Sequence, residues 1–394
     1  MSRRWTVVLI LFLVGLGFRC TTFRAPHEES DEYIYMTLVV QLDEGHGYTL
    51  QGSRILEEGL LDRAQYDRPL FFHPPGGIAL YWLFYATFGD RGFYLVPLFC
   101  YAVFFGSMLL LAQSLGVSPI TVAALSAFSP ILAHVSTRFW LDGPLLAFAT
   151  LAAALFLRAA AAGKTGGAAA AGLVLGFASL IKITAFLIVP GVALLAWFLV
   201  DRRSSFPRLL VAWIVPALLV QLPWEIWQWV ALGSPFPSWA GKPSATLIAQ
   251  NPYVRYLTET RSPWIYVTLA ARILWTWGPS LLLYLLLWGQ EWTRRVGAAL
   301  LLWIASVVAF HVTVGFFGYS KVLRYIILVT PPSILLFTLV LDEAVRLLRS
   351  QRRLVLGAAV SLALIAAGLE IAAGVDASLA TERDAMFALV GETH

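Results

Sequence analysis

The chain has 394 residues, of which 59% are hydrophobic and 13% charged, and its formal net charge is +5. With a mean hydropathy of +0.75, it carries more apolar surface than a soluble protein of this length can bury. The composition therefore excludes an ordinary soluble enzyme and predicts an all-α protein that crosses a membrane several times. Cys20 and Cys100 lie in or beside apolar segments and predict no disulfide framework.

Apolar runs set the expected number of membrane helices. Crossing the hydrocarbon core takes about 20 residues, and we place candidate spans at 5–23, 93–113, 118–136, 143–161, 167–182, 184–200, 207–223, 265–288, 295–316, 323–341 and 354–374. The sequence therefore predicts about eleven transmembrane helices. We interpret the first as an uncleaved span, because no small-residue cleavage site follows it.

Short basic clusters orient these spans, because cytoplasmic loops are enriched in Lys and Arg. The clusters are Arg3/Arg4, Arg158/Lys164, Arg202/Arg203/Arg208, Arg294/Arg295 and Arg346/Arg349/Arg352/Arg353. If an additional apolar run at 76–89 also crossed the membrane, the Arg3/Arg4 and Arg158/Lys164 clusters would lie on opposite sides of it. This run is only about 14 residues long, so we interpret it as a re-entrant or surface helix. The N-terminus is then inside and the C-terminus outside.

This topology predicts a single transmembrane domain at 1–375 and a short tail at 376–394. Two long segments face outward. The first, at 24–92, carries adjacent carboxylates and is interpreted as a catalytic loop. The second, at 224–264, is rich in proline and aromatic residues, and we interpret it as a lid over the site. The shorter segment at 135–142 faces the same side.

Two adjacent carboxylates, Asp31 and Glu32, precede a short amphipathic segment in the first outward loop. Both are ordinary at a helix start, Asp31 as the N-cap and Glu32 as an acid of the first turn. The other interpretation makes Asp31 a general base beside a lipid-linked substrate at the membrane surface. Spacing alone leaves both interpretations open.

Polar residues also mark the ends of two outward segments. His73 precedes Pro74-Pro75-Gly76, a stiff turn that returns the chain to the membrane, and it is placed to donate to a phosphate. Arg138 and Asp142 are four residues apart. They either pair with each other or line a polar cavity on the same side as Asp31.

Several cations lie beside apolar runs, where a charge is costly unless it reaches water or meets an anion. Lys182 lies between two runs, whereas Lys321 and Arg324 form an outer cluster with Tyr325. Cations on the outer side of the membrane are unusual, because Lys and Arg are normally enriched in cytoplasmic loops. A bound phosphate is the expected partner, and binding of lipid head groups is the plainer alternative.

No Walker loop, dinucleotide-binding glycine motif, zinc-type spacing or nucleophile elbow occurs in the sequence. No cofactor is therefore predicted, and a divalent metal is left open. Carboxylates and cations are the groups that remain to carry chemistry.

The order of these features resembles the C-type glycosyltransferase superfold, and within it the group of protein O-mannosyltransferases and aminoarabinose (lipid A) transferases. Ser30–Tyr33, Phe72–Gly76 and Arg138–Leu145 carry the resemblance, which covers roughly residues 5–340. It implies inverting transfer of a sugar from a polyprenyl-phosphate donor to a hydroxyl of a lipid, glycan or protein. The resemblance also implies an active site on the outer face of a bacterial inner membrane. Membrane lipids are expected as further partners, and nucleic acid is not.

The resemblance also implies roles for individual residues. Asp31 matches the base, Glu32 its companion, and Asp142 the acid that shapes the acceptor site. The donor phosphate would be contacted by cations of the three later segments, namely Arg138, Lys182 and Arg324. A flippase or transporter of lipid-linked sugars is the alternative class, in which buried cations serve passage. Transporters usually carry inverted repeats, and we see none in this sequence.

Overall fold

The computed structural model describes residues 3–22, 31–59, 61, 63–200, 203–233, 249, 255–273, 277–320, 322–350 and 365. Within these ranges the α-helices are α1 (Arg3–Thr22), α2 (Asp31–Asp43), α3 (Arg54–Glu57), α4 (Arg63–Tyr66), α5 (Gly76–Phe88), α6 (Arg91–Leu115), α7 (Pro119–Phe128), α8 (Pro130–Val135), α9 (Asp142–Ala161), α10 (Thr165–Ile181), α11 (Val189–Leu199), α12 (Phe206–Leu232), α13 (Ile265–Ile273), α14 (Trp277–Leu286), α15 (Glu291–Phe316) and α16 (Thr330–Ser350). Short 3₁₀ segments occur at Ile183–Ile188, Arg203–Ser205 and Leu323–Val329, and a π-helical turn at Tyr256–Thr260.

Six helical segments of the described chain are long and apolar enough to cross a membrane: Arg3–Thr21, Arg91–Leu115, Asp142–Ala161, Arg203–Leu232, Glu291–Phe316 and Arg324–Leu348. Shorter apolar helices occur at Gly76–Phe88, Pro119–Phe128, Thr165–Ile181 and Ile183–Leu199. The predicted all-helical membrane fold is thereby confirmed. The candidate span at 354–374 lies outside the described residues, apart from residue 365.

Several predicted runs are interrupted or end at a different residue. The run at 118–136 is split between α7 and α8, because Ser129 is extended before Pro130. Conversely, α12 continues through Pro216 and Pro223 to Leu232, although we expected the span to end at residue 223. Neighbouring helices in a membrane satisfy the backbone groups that a proline frees, so the helix tolerates both prolines. The beginning of the expected lid is therefore helical.

Helix α9 occupies the core of the bundle and packs against α6 and α10, and α10 packs against α12. The contact between α10 and α12 is close because two glycines lie on it. A Cβ on Gly172 would stand 2.2 Å from the Trp213 carbonyl oxygen, and one on Gly176 would stand 2.9 Å from that of Ala217. Small residues spaced four apart let membrane helices approach at the backbone.

A buried arginine joins α1 to the segment that leads into α9. Arg19 is fully buried, and it donates to the Ser136 hydroxyl at 2.6 Å and to the Ala127 carbonyl at 2.8 Å. Its guanidinium also lies 3.8 Å from the centre of the Tyr101 ring. These contacts hold the residues just before Arg138 against the first span.

Replacing Gly172 by Ala should lower the thermal unfolding temperature of the detergent-purified protein, because the new methyl group meets the backbone of α12. The matched control is Gly106→Ala in α6, where a Cβ would meet nothing within 4 Å. Alanine is a better helix former than glycine by about 1 kcal/mol, so the control should unfold at the same or a higher temperature. Equal unfolding temperatures for both variants would contradict the close contact.

Candidate active site

The first turn of α2 ties this helix to the segment before α9 through Glu32. Glu32 is 1% exposed, and its Oε1 accepts the Phe139 N–H at 2.9 Å. Arg138 Nη1 lies 3.6 Å from Glu32 Oε2, and both side chains are buried. A buried carboxylate that holds a backbone amide and a cation is suited to fixing the position of α2. This geometry favours a supporting role for Glu32 and Arg138.

Asp31, the neighbouring acid, points elsewhere and forms an ion pair with Arg324. Its side chain is 36% exposed, so the carboxylate remains accessible. Burial opposes its ionisation, but the charges of Arg324 and Lys182 outweigh that effect and lower the pKa of Asp31. Among the described contacts, Asp31 accepts no backbone N–H, so the structure does not support the helix-capping interpretation.

A second acid, Asp142, is the first residue of α9 and is buried. Lys182 Nζ donates to Asp142 Oδ1 at 2.8 Å, and Arg324 Nε lies 3.8 Å from Oδ2. Arg324 therefore stands between the two acids. Of the two alternatives for Arg138 and Asp142, pairing with each other is not seen in the described chain. Arg138 meets Glu32, whereas Asp142 meets Lys182 and Arg324.

Both cations of this cluster lie where helical structure is interrupted. Lys182 is extended between α10 and the 3₁₀ segment Ile183–Ile188, and Arg324 lies near the start of Leu323–Val329. The Arg324 guanidinium stands 4.4 Å from the Trp140 ring centre and 5.8 Å from that of Tyr325. Lys182 Nζ is 5.5 Å from the Tyr325 ring. The electron-rich faces of these rings attract the nearby cations.

His73 lies in the turn before α5, and its ring centre is 4.6 Å from that of Phe72. Burial and the charge of Lys182 lower the pKa of His73 to about 4, although Asp31 and Asp142 act in the opposite direction. The imidazole is therefore neutral at pH 7 and has one N–H to donate. Binding of a phosphate by His73 stays a prediction.

The structure thus brings together Asp31, Asp142, Lys182, Arg324 and Tyr325, which come from four separate parts of the sequence. Lys321 lies outside the described residues. Sequence reasoning missed Trp140, and its place between Arg138 and Asp142 was the available signal. Within the described residues, no group of three or more His, Cys, Asp or Glu side chains is arranged to hold a metal ion.

Replacing Arg138 by Met should destabilise the protein, because Glu32 loses its cation while remaining buried. Breaking a buried ion pair from one side costs about 3–5 kcal/mol. The double variant Glu32→Gln/Arg138→Met should lose less stability than the two single variants lose in sum. The measurement is thermal unfolding in detergent, with Arg54→Met as the control at an exposed pair. Strictly additive losses would refute the coupling of Glu32 to Arg138.

Comparison with known proteins adds a family match. Residues 72–227 match the family described as dolichyl-phosphate-mannose-protein mannosyltransferase. This stretch includes the His73 turn, Arg138, Asp142 and Lys182. No curated protein matches the sequence significantly.

Solved structures share the fold. ArnT from Cupriavidus metallidurans bound to undecaprenyl phosphate aligns with a TM-score of 0.59 at 17% identity, covering 95% of this chain and 77% of ArnT. The apo form of ArnT aligns with a TM-score of 0.60 at 17% identity, covering 96% of this chain and 78% of ArnT. The Archaeoglobus fulgidus oligosaccharyltransferase gives 0.55 at 13% identity, covering 96% of this chain and 56% of that enzyme.

The family match covers the centre of the chain, and the shared fold extends over nearly all of it. Residues 72–227 therefore match a mannosyltransferase family, and the chain as a whole shares the fold of ArnT and of the archaeal oligosaccharyltransferase.

Proposed function

We propose that this protein transfers a sugar from a polyprenyl-phosphate donor to an acceptor hydroxyl, with inversion at the anomeric carbon. The observation that carries the proposal is the position of Arg324, which contacts both Asp31 and Asp142 beside Lys182. A cluster of two acids and two cations offers a base and a phosphate site in one place. Support also comes from ArnT, which was solved with undecaprenyl phosphate bound.

The cations serve the donor phosphate. A planar guanidinium binds phosphate through two parallel hydrogen bonds, and Arg324 Nε has no hydrogen-bond partner among the described residues. We propose that the phosphate replaces Asp31 at Arg324 while Asp142 holds Lys182 in place. Loss of the Arg324 contact then raises the pKa of Asp31 towards its ordinary value, which makes it a stronger base.

In the transfer step the acceptor oxygen attacks the anomeric carbon from the face opposite the phosphate. A new carbon–oxygen bond forms, and Asp31 takes the hydroxyl proton. The bond from the anomeric carbon to the phosphate oxygen breaks, and its electron pair leaves with the polyprenyl phosphate. Arg324 and Lys182 stabilise the charge that develops on that leaving group.

The remaining predicted residues surround this centre. His73 is assigned a single N–H contact to the donor, and Tyr325 packs against both cations. Lys321 is assigned to the same outer edge as Arg324 from its place in the sequence. Glu32 and Arg138 hold the start of α2 against the segment before α9. The acceptor is a lipid, glycan or protein that presents a hydroxyl at this surface.

We place the site at the outer face of a bacterial inner membrane, in a domain of about eleven spans. Helix α5 supports this arrangement. It has 13 residues, and at 1.5 Å per residue it reaches about 20 Å, short of the roughly 30 Å of hydrocarbon. If α5 does not cross, the segments carrying Asp31 and Asp142 face the same side.

The Asp31→Asn variant should bind donor normally but lose turnover by about 10²–10⁴-fold, because an amide cannot take the acceptor's proton. The measurement is sugar transfer from synthetic polyprenyl-phosphate donors by purified protein in nanodiscs, with donor binding measured separately. Glu32→Gln is the matched control and should cost less, since Glu32 faces Arg138. A fully active Asp31→Asn enzyme would remove Asp31 from the mechanism and make Asp142 the next candidate.

The acid limb of the pH–rate profile should differ between the free and the donor-bound enzyme. Because the pKa of Asp31 is lowered, kcat/KM for the donor should fall only below the ordinary aspartate value of about 3.9. Once phosphate occupies Arg324, the limb in kcat should lie at higher pH. In both cases activity is lost as pH falls through the pKa. Coincident limbs would argue against displacement of Asp31 by the phosphate.

Cysteine labelling checks the topology. In a background without Cys20 and Cys100, a cysteine at Asp90 should react with a membrane-impermeant reagent from the non-cytoplasmic side. This is expected because Asp90 follows α5, which is too short to cross. A cysteine at Lys164, in a predicted cytoplasmic turn, is the control and should react only from the opposite side. Labelling of both positions from the same side would overturn the arrangement.

A further inference from the structure

Helix α12 carries a line of polar side chains that the mechanism above does not use. Gln221, Glu225 and Gln228 are spaced four and three residues apart, so they share one helical face. Gln221 is 4% exposed and Gln228 is fully buried. Polar and ionisable groups inside a membrane helix are costly and mark functional surfaces more often than structural ones.

Hydrogen bonds on this face fix which atoms are occupied. Ser179 Oγ lies 2.8 Å from Gln221 Oε1, and Gln221 Nε2 donates to Glu225 Oε1 at 2.6 Å. Gln228 Nε2 donates to the Phe72 carbonyl at 2.8 Å. The orientation of each amide follows from these contacts, because Nε2 is the donor and Oε1 the acceptor.

Three buried polar atoms on this face have no hydrogen-bond partner in the described part of the chain. Two are acceptors, Glu225 Oε2 and Gln228 Oε1, and the third is a donor, Trp224 Nε1. Trp224 is 3% exposed and follows Gln221 by three residues on the same face. Buried polar atoms in native proteins are nearly always paired with protein, water or a ligand, so this face has hydrogen-bonding capacity left for a bound molecule.

A hydroxyl group both donates and accepts hydrogen bonds, which matches two acceptors and one donor. Aromatic rings complete the surroundings, since Trp224 lies 5.9 Å from Tyr48 and 5.7 Å from Trp227 between ring centres. Such rings provide apolar faces against which the C–H groups of a sugar can pack. A purely apolar ligand would leave all three polar atoms unsatisfied.

Each end of this face contacts a residue that is close in sequence to His73 or Lys182. Gln228 is bonded to Phe72, the residue before His73, and Gln221 meets Ser179, one helical turn before Lys182. We propose that Glu225, Gln228 and Trp224 form a subsite for hydroxyl groups of the sugar on the lipid-linked donor. The assignment rests on the proposed function, and it makes Glu225 a determinant of sugar specificity. A site built to bond a hydroxyl discriminates strongly against a sugar that lacks it.

The test compares binding of bare undecaprenyl phosphate with binding of undecaprenyl-phosphate mannose, glucose, galactose and arabinose to the full-length protein in nanodiscs. The wild type should bind at least one sugar-bearing donor more tightly than the bare lipid phosphate. Glu225→Gln should lower the affinity for that donor by about 10–100-fold, which corresponds to losing a hydrogen bond to a charged group. Binding of bare undecaprenyl phosphate should not change.

Two further variants keep the test decisive. Trp224→Phe removes only the indole N–H and should cause a smaller loss that is also confined to the sugar-bearing donor. Glu291→Gln, at an exposed residue of α15, is the matched control and should change neither ligand. A donor analogue that lacks the bonded hydroxyl should be insensitive to Glu225→Gln.

The outcomes separate the two proposals. The sugar subsite would be overturned if Glu225→Gln weakened binding of the sugar-bearing donor and of bare undecaprenyl phosphate equally, or weakened neither. A wild type that binds sugar-bearing and bare lipids alike would also overturn it. Failure of the wild type to bind bare undecaprenyl phosphate would instead refute the proposed donor site.

Discussion

Arg324 must be neutralised because it lies among apolar residues at the start of a membrane segment. Two carboxylates surround it, Asp31 from α2 and Asp142 from α9, and Lys182 follows α10. A charge in this environment is costly without partners. The arrangement of α2, α9 and the two interrupted helices can therefore be understood as the geometry that brings those partners to Arg324.

Helix ends place these side chains, and close backbone packing keeps the ends in position. Asp31 and Asp142 each begin a helix, and Lys182 ends one. A Cβ on Gly76 would stand 2.8 Å from the Leu180 backbone, so the turn that carries His73 rests directly against the end of α10. Packing at the backbone thus fixes the spacing on which the charged cluster depends.

The sequence predicted the all-helical membrane fold and the residues of the cluster, because charges stand out against long apolar runs. It did not predict their pairing. Glu32 meets Phe139 across 107 residues and Asp31 meets Arg324 across 293, and neither pair has a local signal. The continuation of α12 beyond Pro223 also escaped prediction, since neighbouring helices decide whether a proline ends a helix. For the same reason we assigned Glu225 and Gln228 to a loop.

The most direct test of the central claim is a cryo-electron microscopy structure of the protein with bare undecaprenyl phosphate bound. We expect the phosphate to contact Arg324 and Lys182, and Asp31 to be separated from Arg324. Asp142 should remain bonded to Lys182. A phosphate bound away from Arg324, with the Asp31–Arg324 ion pair intact, would contradict the account.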